Sequence, residues 1–223
     1  MSEKAKIGGP GSGKTLVLGV LGGIASGKSA AARLLAGPDG VVISADELAR
    51  EALDSPAVLA RVRERFGEQA VGPDGRADRG FIARIVFDPE RGRAARSELE
   101  GWTHPLVRAR IAERLSAARA AGVPRVVLDV PLLLENDAEH GLGQLCDVLV
   151  FVDSHADERE RRAERERGWK RGELARREAT QLPLSEKKKR AHHVLSNDHG
   201  LAELERAAAR LIEKLRGGRA HPN

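Results

Sequence analysis

The stretch LVLGVLGGIASGKSAAARLLA, residues 16–36, decides the fold. Residues 16–21 are a continuous apolar run of strand length, and residues 29–36 read as a helix rich in alanine and leucine. Between them GGIASGKS, residues 22–29, fits the phosphate-loop pattern G-x-x-x-x-G-K-[ST]. The order has a physical reason: a buried strand delivers the chain to the loop, and the departing helix turns its unpaired backbone N–H groups toward an anion. The glycines let the backbone bend around a phosphate, Lys28 reaches the β and γ phosphates, and Ser29 offers a hydroxyl to Mg²⁺. The expected ATP-binding set is therefore Gly23, Ile24, Ala25, Ser26, Gly27, Lys28, Ser29 and Ala30.

The same pattern occurs upstream as GGPGSGKT, residues 8–15. There only Ile7 and polar residues precede it, and a strand follows instead of a helix, so the amides that make the motif work are missing. Residues 1–15 are expected to be a flexible extension, and residues 218–223 a tail.

Working outward, further short apolar strands are predicted at 41–43, 125–130, 147–152 and 192–195. Helices are predicted at 46–53, 57–66, 78–87, 92–102, 105–121 and 201–215, with a turn at GPDG, 72–75. Pro105 suits a first helical turn, which separates the two helices on either side of it. Short strands alternating with helices imply an α/β fold with a parallel sheet flanked by helices, and phosphate chemistry at the carboxyl ends of the strands.

Two carboxylates stand at such ends. Asp46 either orients and deprotonates an acceptor hydroxyl or caps a helix, a task Ser44 also suits. Asp129 is either a second Mg²⁺ ligand or a strand-terminal turn residue. Downstream, Arg159, Arg162 and Arg165 recur every third residue and would close over ATP from one helix face, while the interleaved glutamates read equally as salt bridges of a solvated helix. A helix to Gln181, a link containing Pro183 and the basic run 187–190 follow. His104 is a capping or packing histidine as readily as a ligand contact.

The formal charge of +5 and a pI of about 9.7 suit a negatively charged partner. Aromatic residues are only 3% with no tyrosine, which removes the stacking surface of a single-strand nucleic-acid binder. No apolar run approaches the roughly 20 residues that cross a bilayer, and residues 1–14 lack the pattern of a secretory signal, so a cytoplasmic location is expected. The single cysteine, Cys146, lies in an apolar run and reads as a small buried hydrophobe. The chain has neither N-K-x-D nor D-x-x-G, which argues against a GTPase switch.

Taken in order, these motifs resemble the dephospho-CoA kinase family over most of residues 16–197. The resemblance is carried by GGIASGKS (22–29), SADELAR (44–50), Asp78 and Arg79, VF-D (86–88) and HPLV (104–107). It continues through DVPLLLE (129–135), DVLVFVD (147–153) and the spaced set Gln181, Lys187, Ala191 and Asn197. It implies a P-loop kinase fold like that of nucleoside monophosphate kinases: a five-stranded parallel core with a helical CoA-binding region and a lid. In this chain the expected core is 16–53, 122–153 and 191–217, the helical substrate region 54–121 and the lid 154–190. The implied activity is ATP-dependent phosphorylation of the ribose 3′-hydroxyl of dephospho-CoA, with Mg²⁺ as cofactor. Another small-molecule or nucleoside P-loop kinase is the alternative.

The resemblance assigns catalysis to Asp46, Lys28 and Arg162, and ATP contacts to Arg165 and Asn197 besides the loop. Substrate contacts fall to Asp46, Arg79, His104, Pro105, Leu132 and Glu135, and metal binding to Ser29 with Asp129 as a second ligand. ATP and dephospho-CoA are the expected partners, without nucleic acid or membrane, in a monomer or weak homo-oligomer. Two departures stand out: Ser44 replaces the first aspartate of the family's D-A-D motif, and Arg165 and Arg167 flank the position where one lid arginine is common.

Overall fold

A computed structural model describes residues 14–88 and 90–217, so the tail and all of the upstream loop pattern except Lys14 and Thr15 lie outside the described residues. The chain divides into two compact units, Ser44–Arg114 being one and the flanking stretches together the other.

The larger unit is built on strand β1 (Leu16–Gly22), every residue of which is buried. Its continuous apolar run follows from its position: in the sheet order β2-β3-β1-β4-β5 it is the middle strand, with β3 (Arg125–Asp129) on one side and β4 (Val148–Asp153) on the other. Both pairs are parallel, with Leu16 opposite Arg125 and Leu18 opposite Val148. The outer strands are β2 (Val41–Ser44) and β5 (His193–Ser196), the latter parallel to β4. The sheet is the expected five-stranded parallel one.

One face is covered by α1 (Lys28–Ala36), through Ala31, Ala32, Leu35 and Ala36, and by the closing helix (Leu201–Gly217), through Leu204, Ala208, Leu211 and Ile212. Arg125, at the first position of β3, is buried and donates to the terminal carbonyls of α1, Leu35 O at 3.3 Å and Ala36 O at 2.9 Å. That cation satisfies acceptors the helix leaves open and opposes its dipole. Cys146 packs where a Cβ on Gly19 would stand, and burial pushes its thiol up to about 12, in keeping with an inert hydrophobe.

The smaller unit is helical. It comprises α2 (Ala45–Leu53), α3 (Pro56–Phe66), α4 (Arg79–Val86) and the first part of α5 (Gly92–Ala120), packed around Val58, Val62, Phe66, Ile82, Val86 and Ala95. The pair of helices expected on either side of Pro105 is a single helix with Pro105 inside it, which corrects the reading of Pro105 as a first-turn residue. Proline forfeits one bond, to the carbonyl four residues back, and that residue is the exposed Gly101, whose carbonyl water can serve.

After β3 come α6 (Asp137–His140), then β4, then α7 (Ala156–Arg167), α8 (Glu173–Glu178) and α9 (Leu184–Arg190); the closing helix is α10. The basic helix α7 and the helix predicted to reach Gln181, which is α8 and ends at Glu178, are parted where Gly168 and Gly172 take left-handed backbone angles of φ 65° and 88°. Among the described residues no helix is long and apolar enough to cross a membrane.

Candidate active site around the phosphate loop

Residues 22–29 connect β1 to α1 and lie wholly within the larger unit. Gly27 is the N-cap of α1 with φ 89° and ψ 23°, a left-handed conformation that costs an L-residue about 1–2 kcal/mol. A Cβ there would also overlap the amide nitrogen of Asn197, so glycine is required on two counts. Ala25 shares the left-handed region, at φ 57°.

Lys28 folds back over the loop: its Nζ donates to Gly23 O at 2.7 Å and Gly22 O at 3.3 Å. Burial pushes its ammonium down to about 8; Lys187 and Arg167 push the same way, and Asp129 and Glu178 oppose them. A cation held with little water is one that gains strongly from a phosphate. Ser26 Oγ, in the same loop, is buried without a hydrogen-bond partner among the described residues, a hydroxyl that a ligand oxygen would satisfy.

The loop is braced from two sides. Asn197, just past β5, is buried and donates from Nδ2 to Ser26 O at 2.8 Å. Arg162, on α7, donates to Asn197 O at 2.7 Å and reaches Ser26 O and Ser154 Oγ at 3.5 Å, while Glu158 accepts from its Nε at 3.1 Å. The expected residues Lys28, Arg162 and Asn197 are therefore brought together at the loop, with the Asn197 side chain engaged on the loop backbone.

Arg165 is not brought to it: its side chain is 68% exposed and pairs with Glu166 at 2.9 Å. Three residues advance a helix by 300°, so a face defined by every third residue drifts by 60° each step and the third member is carried away. Of the two arginines that flank the lid position, Arg167 is the one whose charge bears on Lys28. Arg159, the first of the three arginines expected on that face, is buried and donates to Ile24 O of the loop, while Glu178, which the sequence did not single out, accepts from Ile24 N. Their alternating acids and bases disguised this, because a buried pair and a solvated pair have the same composition.

Glu135 and Lys187 form a second buried pair at 2.6 Å, with Gln181 Oε1 also accepting from Lys187 Nζ at 3.1 Å and Glu135 accepting from Leu182 N at 3.2 Å. Between β3 and this pair, Leu132 sits at φ 56°, rare for a branched side chain, and is 36% exposed. Asp129 ends β3, and its charge acts on Lys28. Ser29 is exposed in the first turn of α1. These two hard oxygen donors suit Mg²⁺ arriving with a nucleotide, which takes one or two protein ligands and completes its shell with phosphate and water.

In the helical unit, Ser44 caps α2 by accepting from Glu47 N at 3.3 Å. Asp46 lies in the first turn of that helix, exposed, so its carboxylate does not serve as the cap. Arg79 pairs with Asp54 at 2.9 Å, and His104 and Pro105 stand in α5.

A family model described as dephospho-CoA kinase matches residues 16–203. The chain is 40% identical over 206 residues to a dephospho-CoA kinase of Anaeromyxobacter dehalogenans, covering 91% of this chain and 93% of that protein. One from Thermus thermophilus is also 40% identical, with 91% and 93% covered. Among solved structures, a Thermus thermophilus protein superposes with a TM-score of 0.69 at 37% identity, over 91% of this chain and 98% of that one. Dephospho-CoA kinase from Campylobacter jejuni gives 0.65 at 20% identity over 90% and 97%, a likeness of fold.

Proposed function

The chain belongs to the dephospho-CoA kinase family, and we propose that it transfers the γ-phosphoryl group of ATP to the ribose 3′-hydroxyl of dephospho-CoA, the final step of CoA biosynthesis. The observation that carries this reading is the half-dehydrated Lys28 ammonium lying across the loop that β1 and α1 present, with Arg162 and Asn197 locked onto Ser26 O beside it.

In this reading the loop amides and the α1 N-terminus take the triphosphate, and Lys28 and Arg162 stabilise the charge that spreads over the transferred group. Mg²⁺ bound with ATP would be held by Ser29 and Asp129 and would supply further neutralisation of the phosphate oxygens. Asp46 takes the acceptor proton or orients the hydroxyl; the structure favours this by giving the cap of α2 to Ser44. Arg79, His104, Pro105 and Leu132 are assigned to dephospho-CoA, in a substrate region at 54–121 and on the loop after β3. Residues 154–190 act as the lid, whose closure excludes water and so limits futile hydrolysis. Glu135 supports this region through Lys187 rather than through an exposed carboxylate.

The test is an acceptor panel with ATP and Mg²⁺, comparing dephospho-CoA, nucleoside monophosphates and small alcohols. Dephospho-CoA is expected to give the highest kcat/KM. Preference for a nucleoside monophosphate would overturn the assignment in favour of another P-loop kinase.

A further inference from the structure

Ile24 has both backbone groups held by side chains from outside the loop. Its N–H donates to Glu178 Oε1 at 2.8 Å, and its carbonyl accepts from Arg159 Nη1 at 3.4 Å. Arg159 Nη1 also donates to Glu178 Oε1, so a single carboxylate oxygen closes a ring of three contacts. The Arg159 side chain is 6% exposed and that of Glu178 16%, which leaves water little access to compete. Arg159 is itself anchored, its Nε donating to Ser154 O at 3.1 Å. Gly23 makes the approach possible: a Cβ there would stand 2.7 Å from Glu178 Oε1 and press on Arg159 as well.

We propose that Glu178, acting with Arg159, is a positioning residue for ATP. The pair fixes the peptide planes on either side of Ile24 and thereby sets the direction of the amides that follow it around the loop. A lone carboxylate on a phosphate-binding loop would repel the triphosphate. Arg159 shares the same oxygen and cancels that charge, so the pair orients the loop without opposing its ligand. Arg159 comes from α7 and Glu178 ends α8, so loop order is tied to the docking of both helices. The inference rests on nucleotide binding at residues 22–29.

The shared oxygen makes the test selective. Glutamine at 178 keeps one acceptor for both donors, whereas alanine strands a buried guanidinium and a half-buried N–H. ATP binding by calorimetry, steady-state kinetics and thermal unfolding are measured for the wild type, Glu178→Ala, Glu178→Gln, Arg159→Met and the Glu178→Ala/Arg159→Met double variant. Glu178→Ala is expected to raise the Kd and KM for ATP about tenfold, equivalent to about 1.4 kcal/mol, with the KM for dephospho-CoA unchanged. Glu178→Gln is expected within about threefold of wild type, and the double variant to show less than the product of the single effects.

An unchanged Kd for ATP in Glu178→Ala overturns the inference. So does a fall in every parameter together with thermal stability that glutamine does not rescue, since that marks a bracing role in the fold. Should Glu178→Ala fail to fold, Arg159→Lys, with one donor centre in place of a fork, is expected to raise the Kd about threefold, and no change would refute the proposal. A wild type that binds ATP but leaves dephospho-CoA untouched refutes the assigned reaction, while the Kd values still decide the role of Glu178.

Discussion

Replacing Lys28 with methionine should reveal what the buried loop lysine costs the free protein. Burial lowers its ammonium from 10.5 to about 8 in the folded state. Below about 8 the lysine is charged whether folded or unfolded, and the desolvation penalty is fully present. Between about 8 and 10.5 the unfolded chain binds more protons than the native one, so stability rises with pH. Lys28→Met lacks this contribution. The advantage of the variant over wild type in unfolding free energy should therefore shrink by roughly 2–3 kcal/mol between pH 7 and pH 10. Urea unfolding of the two nucleotide-free proteins at both pH values measures it. The same variant should lose at least about a hundredfold in kcat, because a preorganised charge at the phosphate is gone. A stability difference independent of pH would show that Lys28 is not dehydrated in the native loop, and the electrostatic part of the reasoning would fail.

Glu135→Ala leaves the buried Lys187 ammonium without its carboxylate and should destabilise the protein by roughly 3 kcal/mol, a loss that Lys187→Met in the same chain should largely recover; denaturant titration of the three variants checks this. Gly27→Ala forces a side chain into a left-handed position and against Asn197, and calorimetry should show ATP affinity reduced by at least about tenfold. Ser44→Ala removes the cap of α2 and should cost about 1 kcal/mol in urea unfolding, while Ser44→Asp, which caps equally well, should be within about 0.5 kcal/mol of wild type.

The centre of the fold is legible because its signals are local and mutually consistent. An apolar run, a glycine-rich loop, a lysine and an alanine-rich helix follow one another within residues 16–36, and each needs its neighbour. Strand ends differ from expectation by a residue, as at β3, where Val130 lies past the ladder. What could not be read was set by long-range pairing. Arg159 and Glu178 lie 19 positions apart among many alternating charges, and only the packing of α7 and α8 against the loop makes one pair buried. Likewise Glu135 reads as a substrate contact until Lys187, from α9, is seen to occupy it. Pro105 misleads for the opposite reason: the local rule holds, yet packing of Val107, Ile111 and Leu115 along the same helix outweighs one lost hydrogen bond. For Asp46 the local question was open; the structure gives the cap of α2 to Ser44 and leaves Asp46 exposed in the first turn.

A crystal structure with a non-hydrolysable ATP analogue and Mg²⁺ puts the nucleotide site itself to the test. The β-phosphate should lie on backbone amides between Ala25 and Ser29, with Lys28 Nζ moved from Gly23 O onto the phosphates and Arg162 within reach of them. A triphosphate seated away from residues 22–29, with Lys28 still bound to the loop carbonyls, would contradict the mechanism and the site together.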